Sequence, residues 1–160
     1  MLHIPCFVSI ASPAARRRIV QRLIDVEARL PAIYDLEENG TVTVGSGSAI
    51  AAGVRVGKDT IIGEHVQVMP GVTIPENTII GDYTTFCPKA TLSGRVKIGK
   101  DVFVGAGAKI DGSDAEISVG NNVVISAGAV LRSSVDDNLR VFGNPARAID
   151  GMHIVPEARG

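Results

Sequence analysis

Apolar positions recur every six residues from Val44 to Ile110, with Val, Ile, Leu or Phe opening each unit at 44, 50, 56, 62, 68, 74, 80, 86, 92, 98 and 104. The fifth place of each unit is small or β-branched, from Ser48 and Val54 through Thr84 and Ala90 to Ala108. Glycine recurs in second place, at 45, 57, 63, 81, 99 and 105. A six-residue period fits neither an amphipathic helix nor a meander of hairpins, and marks a repeat architecture. The spacing predicts short strands joined by tight bends and wound into a solenoid, with first-place side chains stacked inside and fifth-place residues filling the corners. Three units make one turn, so residues 18 apart should lie above one another, as in Ile62, Ile80 and Ile98. The general rule for parallel crossovers would make that coil right-handed.

The flanks follow other patterns. Residues 2–10 read as a short strand in which Pro5 argues against a central position. Ser12 and Pro13 make a helix start, and a helix running to about Leu30 would carry Ile19, Leu23, Val26 and Leu30 on one face, with Pro31 stopping it. Arg16, Arg17, Arg18, Arg22 and Arg29 crowd that helix. Such a run reads as a solvated face, with phosphate binding as the alternative. Residues 32–36 suggest a second short strand, and residues 37–40 a turn into the coil. The segment 1–40 is thus β-α-β, too small for a free-standing nucleotide domain and without a Gly-rich phosphate loop, since Gly is absent until Gly40. After Ile110 the run 111–118 inserts three residues before the six resumes at Val119, which reads as a polar loop at a coil corner. Residues 131–138 leave the coil, and a turn, Gly143-Asn144-Pro145-Ala146-Arg147, precedes a loosely docked tail.

Composition narrows the classes. A chain of 160 residues is one domain with room for a small appendage, and a net charge of −1 gives no electrostatic case for nucleic acid or anionic membrane. No apolar run could span a bilayer, the start lacks the layout of a signal peptide, and Cys6 and Cys87 lie far apart. A cytoplasmic protein with reduced thiols is the expectation. Aromatic residues are only 4%, with no Trp, which suits a narrow core of Ile and Val ladders.

The segment VFGNPARAI, 141–149, resembles the closing motif of the hexapeptide-repeat acyltransferases, whose coils are left-handed. Within that superfamily the chain looks most like the sialic acid O-acetyltransferases and the UDP-amino-sugar N-acetyltransferases of the bacillosamine type. FVSIASPAARRRIVQRL, 7–23, resembles the second half of that family's N-terminal nucleotide-sugar-binding domain, and 79–110 follow its coil nearly residue by residue. The resemblance implies a mainly β fold: a left-handed parallel β-helix over 41–135, a β-α-β remnant of the sugar-binding domain over 1–40, and a closing turn and tail over 136–160. It also implies acetyl-CoA as co-substrate, a small sugar or nucleotide-sugar acceptor, and a homotrimer with coenzyme in the grooves between neighbouring coils. Positive mean hydropathy, +0.23, agrees with a coil face that is covered.

The family's functional slots carry over unevenly. The general-base His and its acidic neighbour fall on Glu76 and Asn77, and a coenzyme-contacting His falls on Thr85. Gly94 fits the oxyanion-stabilising amide, Ala106 and Ala127 the coenzyme-contacting main chain, and Gly143, Asn144, Pro145 and Arg147 the closing turn beside the coenzyme. Acyl transfer from a thioester needs a base for the nucleophile's proton and donors for the tetrahedral oxyanion. A carboxylate near 4.3 is a poor base unless burial raises it, so Glu76 is either a base in a dry intersubunit cleft or a solvated turn residue.

His65, the only coil histidine, shares a column with Tyr83 and Asp101 on a different side from Glu76 and reads as an exposed turn residue, with a place facing a neighbouring subunit's cleft as the alternative. Zinc chemistry of the carbonic anhydrase type needs three converging histidines that this chain does not supply. Cys87 reads as a structural thiol near the expected cleft, with nucleophile as the sharper alternative. The function expected is therefore acyl-CoA-dependent transfer to an amino or hydroxy group of a small sugar. The alternative is a catalytically degenerate homotrimer that binds a ligand or scaffolds a sugar pathway. A third possibility is a start that lies downstream of the Gly-rich half, which would restore sugar binding but not a His at 76.

Overall fold

In the computed structural model, residues 5–34, 36 and 41–153 are described. The six-residue units form a parallel β-solenoid of about six turns. Each turn contributes one short strand to each of three faces. The first face stacks Ala49–Ile50, Gln67–Val68, Thr85–Phe86, Phe103–Val104, Val124–Ile125 and Leu139–Gly143. The second stacks 55–56, 73–74, 91–92, 109–110 and 130–131. The third stacks 43–44, 61–62, 79–80, 97–98 and 118–119. Ile62 pairs with Ile80 and Ile80 with Ile98, which is the expected 18-residue register. First-place residues from Ile62 to Val104 are buried in one continuous core, and every fifth-place residue from Ser48 to Ala108 is buried as well. The hydroxyls among the latter are satisfied across the coil: Ser48 donates to the Gly63 carbonyl at 2.8 Å and Thr84 to the Gly99 carbonyl at 2.9 Å.

A third regularity lies in fourth place, where the backbone turns left-handed in unit after unit: Gly47, Gly53, Asp59, His65, Gly71, Asn77, Tyr83, Lys89, Asp101 and Gly107 all have positive φ. The exception is the unit 92–97. There Gly94, in third place, takes the positive φ, and the strand Thr91–Ile98 runs straight through what is elsewhere a corner. Its partner Lys109–Val119 does the same, with the register slipping between Gly112 and Ile117. The three inserted residues are therefore a bulge in a paired strand rather than a free loop. The close approach of the two chains requires a glycine, since a Cβ on Gly94 would lie 2.2 Å from the Gly112 carbonyl carbon. The coil also continues past 131: Val119 bridges Val135, Asn121 N–H donates to Asp137 at 2.7 Å, and Val141 pairs with Ile125. The chain then folds back as an antiparallel hairpin, Leu139–Gly143 against Ala146–His153, through a cis Asn144–Pro145 bond.

The N-terminal segment departs further from expectation. Among the described residues, strand pairing over 5–10 is a bridge between Pro5 and Arg29; residues 2–4 lie outside those described. Coil side chains take the place of a sheet partner, as Gln67 donates to the Val8 carbonyl at 2.8 Å and Thr85 to the Ala11 carbonyl at 2.8 Å. The expected strand at 32–36 is likewise one bridge, Ile33 to Ala49, which extends the first face; Asp35 and the turn at 37–40 lie outside the described residues. Helix α1, Pro13–Asp25, is capped by Ser12 and ends short of Leu30, with Glu27 left-handed just beyond it. It docks through Arg16 and Val20 rather than through Ile19, Leu23, Val26 and Leu30. Arg16 is only 1% exposed, so the arginine run is not a uniformly solvated face. Its guanidinium donates to the carbonyls of His65 (2.9 Å), Ile10, Ala11, Tyr83 and Thr84 and to the Thr85 hydroxyl (3.0 Å). Those acceptors make burial tolerable; burial still pushes its pKa down to about 10.

Candidate active site

The second face carries a shallow groove of about 260 Å³ lined by Thr91, Ser93, Lys109, Asp111, Val130, Arg132 and Asn144. Thr91, Lys109 and Val130 are the outward residues of stacked strands. Ser93, Asp111 and Arg132 occupy the flattened corner beside Gly94, and the hairpin turn brings Asn144 to the rim. Asp111 organises that corner. It accepts from the Ser113 N–H (3.3 Å) and the Ser93 hydroxyl (3.1 Å), with Arg132 at 4.0 Å. The hydrogen bonds from Ser113 and Ser93, with the nearby Arg132 cation, hold its carboxyl below the usual carboxylate range. Asp111 thus serves here as the acceptor that holds the Ser93 hydroxyl and the Ser113 amide in place.

The structure distributes the expected site residues as follows. Gly94 sits next to Ser93 at one edge of the groove, and Glu76 lies one coil below it at the same corner, exposed. Ala106 and Ala127 line the opposite edge of the second face, stacked so that the Gly128 N–H reaches the Ala106 carbonyl at 2.9 Å. The pairing of Ile125 with Val141 continues that column to Gly143. Asn144 lines the groove, Pro145 is the cis residue beside it, and exposed Arg147 donates to the Ala146 carbonyl at 2.9 Å. Thr85 is elsewhere. It belongs to the first face, is 0% exposed, and spends its hydroxyl on Arg16 and Ala11, so the docked N-terminal segment leaves it no surface for a coenzyme.

His65 also differs from its expectation. It is 6% exposed rather than an open turn residue, with its ring stacked on Tyr83 at 4.9 Å, while the Arg17 guanidinium lies 3.9 Å over the other ring and pairs with Asp101 at 2.7 Å. Burial lowers its pKa, and Arg16 and Arg17 act in the same direction against Glu64 and Asp82. The signal lay in the column Gly47, His65, Tyr83, Asp101: glycine at 47 leaves the space that the imidazole fills. Lys109 and Asp111 keep the 18-residue spacing over Thr91 and Ser93, whereas the inserted residues hide the register of Arg132, so the cluster carried no comparable signal. Cys87 is half-buried and burial pushes its thiol up, which disfavours the thiolate a nucleophile needs. Among the described residues no cluster of His, Cys, Asp and Glu could hold a metal ion, and no helix is long and apolar enough to cross a membrane.

The coil, its flattened corner and the closing hairpin define a hexapeptide-repeat acyltransferase fold. Residues 59–94 match the family described as bacterial transferase hexapeptide (six repeats), and residues 95–133 match the hexapeptide repeat of succinyl-transferase. Among solved structures, WeeI from Acinetobacter baumannii AYE is similar with a TM-score of 0.85 and 26% identity, over 93% of this chain and 72% of that one. The acetyltransferase domain of PglB from Neisseria gonorrhoeae FA1090, in complex with acetyl coenzyme A, gives 0.79 and 27%, over 91% and 70%. PerB from Caulobacter crescentus, in complex with CoA and GDP-perosamine, shares the fold, with a TM-score of 0.78 and 23% identity over 89% and 69%. No match was found among curated protein sequences.

Proposed function

We propose that this chain transfers an acyl group, acetyl in the first instance, from coenzyme A to an amino or hydroxy group of a small sugar, with nucleotide-linked amino sugars as the first acceptors to test. In this reading the active site lies between subunits of a homotrimer in the cytoplasm. Residues 1–40 are the remnant of a nucleotide-sugar-binding domain, 41–135 the catalytic coil and 136–160 its closing turn. The observation that carries the reading is the pairing of edges on one groove: Gly94 on one side, the column Ala106, Ala127 and Gly143 on the other, and Asn144 at the rim. The Gly94 amide would stabilise the oxyanion as the thioester carbonyl becomes tetrahedral, and the small residues opposite would let the coenzyme lie against main chain. Arg147, exposed and in no ion pair among the described residues, would supply a cation for its phosphates.

Proton removal falls to Glu76 in this scheme, one coil below Gly94. That assignment is also where the second reading gains its support. Glu76 is exposed, with no side-chain hydrogen bond among the described residues, which suits a degenerate trimer that binds coenzyme as a ligand without turning it over. Calorimetry with acetyl-CoA and turnover against a panel of UDP-4-amino sugars separate the two. Binding with turnover, reduced at least about tenfold in Glu76→Gln, is the expected result for a base of ordinary effectiveness. Binding without turnover of any acceptor would favour the degenerate trimer, and absence of binding would sink the transferase reading.

A further inference from the structure

The acyl-transfer scheme gives the Gly94 amide to the oxyanion and leaves its neighbour Ser93 without a task. Ser93 and Asp111 face each other in the register of the two flattened strands, and both line the groove. The Ser93 hydroxyl spends its only hydrogen on Asp111 Oδ1, at 3.1 Å, so its oxygen keeps lone pairs and no donor. A carboxylate has about four lone-pair sites, and Ser93 and Ser113 fill at most three, even with the Ser113 hydroxyl counted beside its N–H. Arg132 stands 4.0 Å from Oδ2, beyond hydrogen-bond reach. Next to Gly94 the groove therefore presents two oxygens able to accept, one of them anionic. A thioester carbonyl only accepts, and gains nothing from such a pair. The group that fits is a cation with several hydrogens to give, and a primary amine meets that description because it arrives from water as an ammonium.

We infer that Ser93 and Asp111 together receive the acceptor's amine, one N–H on the Ser93 oxygen and one on the Asp111 carboxylate, and so select an amino sugar over its hydroxy counterpart. This rests on the acyl-transfer reading proposed above and decides between the two acceptor groups which that reading leaves open. An ammonium has three hydrogens, of which the pair holds two. In the proposed scheme Glu76 takes the third, and the lone pair it uncovers attacks the thioester carbon at Gly94. A C–N bond forms and the C–S bond breaks. The second proton passes from nitrogen to the departing thiolate, so the coenzyme leaves as a thiol and the last hydrogen stays on the amide. A hydroxyl brings a single hydrogen. Bound to one oxygen of the pair, it would turn a lone pair toward the other, which is repulsive beside a carboxylate.

Calorimetry on the full chain with a UDP-4-amino sugar and its 4-hydroxy counterpart tests the assignment. The unaltered chain should bind the amino sugar more tightly. Ser93→Ala removes one acceptor, and Asp111→Asn keeps the shape but removes the charge. Each should weaken the amino sugar by about tenfold, as expected for one hydrogen bond to a charged partner, and leave the hydroxy sugar and acetyl-CoA within about twofold. The preference for the amine should therefore narrow in both variants. Equal weakening of the two sugars would mean that the pair only holds the strand bulge together, and unchanged binding of the amino sugar would leave the amine with other partners; either overturns the inference. Binding of neither sugar by the unaltered chain overturns it as well. The transfer reading is judged separately, by turnover: a chain that binds the amino sugar through this pair without acetylating it would support the pair and sink the transferase.

Discussion

His65 is held as a neutral imidazole by its surroundings. Burial under helix α1 and against Tyr83 disfavours the imidazolium, and it prevails although the charges of Glu64 and Asp82 outweigh those of Arg16 and Arg17. Because its folded pKa lies below the ordinary 6.5, the unfolded chain takes up the proton first as pH falls. The stability this residue contributes is therefore complete above about pH 6.5 and drains as the solution becomes more acidic. Thermal melts between about pH 5 and 8 should show that slope in the unaltered chain. In His65→Asn the slope should shrink, since asparagine accepts the left-handed backbone and does not titrate. An unchanged slope would assign the acid sensitivity to another group. Gly47 in the same column marked room for the ring, but nothing in a lone turn histidine showed what would cover it. Burial of His65 and Arg16 depends on a helix arriving from 49 residues away, and such a contact leaves no trace in local spacing.

At the scale of elements the coil was readable almost residue by residue, and the reason is physical. From Val42 to Gly112 each coil-to-coil contact joins residues 18 apart, so the constraint on Ile62, Ile80 and Ile98 is written at a fixed interval in the chain. The flanks lack such a period. The segment at 5–11 meets the Gln67 side chain at the Val8 carbonyl and the Thr85 hydroxyl at the Ala11 carbonyl instead of a strand, and the insertion at 111–118 stays paired because Gly94 and Gly112 let two strands close up. The left-handed fourth place has no single residue signature, since its occupants include His65, Tyr83 and Lys89 as well as glycines. It supplies a paired test. Gly47 and Gly53 have similar positive φ, 68° and 75°, but a Cβ at 47 would sit 2.1 Å from His65 Nδ1, whereas nothing lies within 4 Å of one at 53. Gly53→Ala should cost only the left-handed penalty, about 1–2 kcal/mol. Gly47→Ala must in addition displace the imidazole from its stack, so its loss by denaturant unfolding should exceed that of Gly53→Ala by about 1 kcal/mol or more. Equal losses would mean that the ring moves freely and that the stack on Tyr83 contributes little.

For the whole molecule, the three faces are unequally used. Residues 5–16 cover lower coils of the first face through Arg16, Gln67 and Thr85, and the second face carries the groove. The third turns Ile61 and Ile79 outward, 50% and 45% exposed and adjacent in register. Above them Lys97, paired with Glu116 at 2.9 Å, ends the apolar strip with charge. Two stacked isoleucines on a flat sheet face form a surface that a neighbouring copy would bury, so the homotrimer of the proposed function is best tested there. Ile61→Lys combined with Ile79→Glu replaces the strip with opposite charges that can pair across the ladder. The fold should survive, because Ile62 and Ile80 still fill the core, and circular dichroism would check this. Sedimentation should then show a monomer in place of a trimer, while an intact trimer would put the contact between copies on another face. Coenzyme binding by that monomer carries the argument one step further. Loss of binding with the fold intact would support a site shared between subunits, and retained affinity would assign the coenzyme to the groove of a single chain.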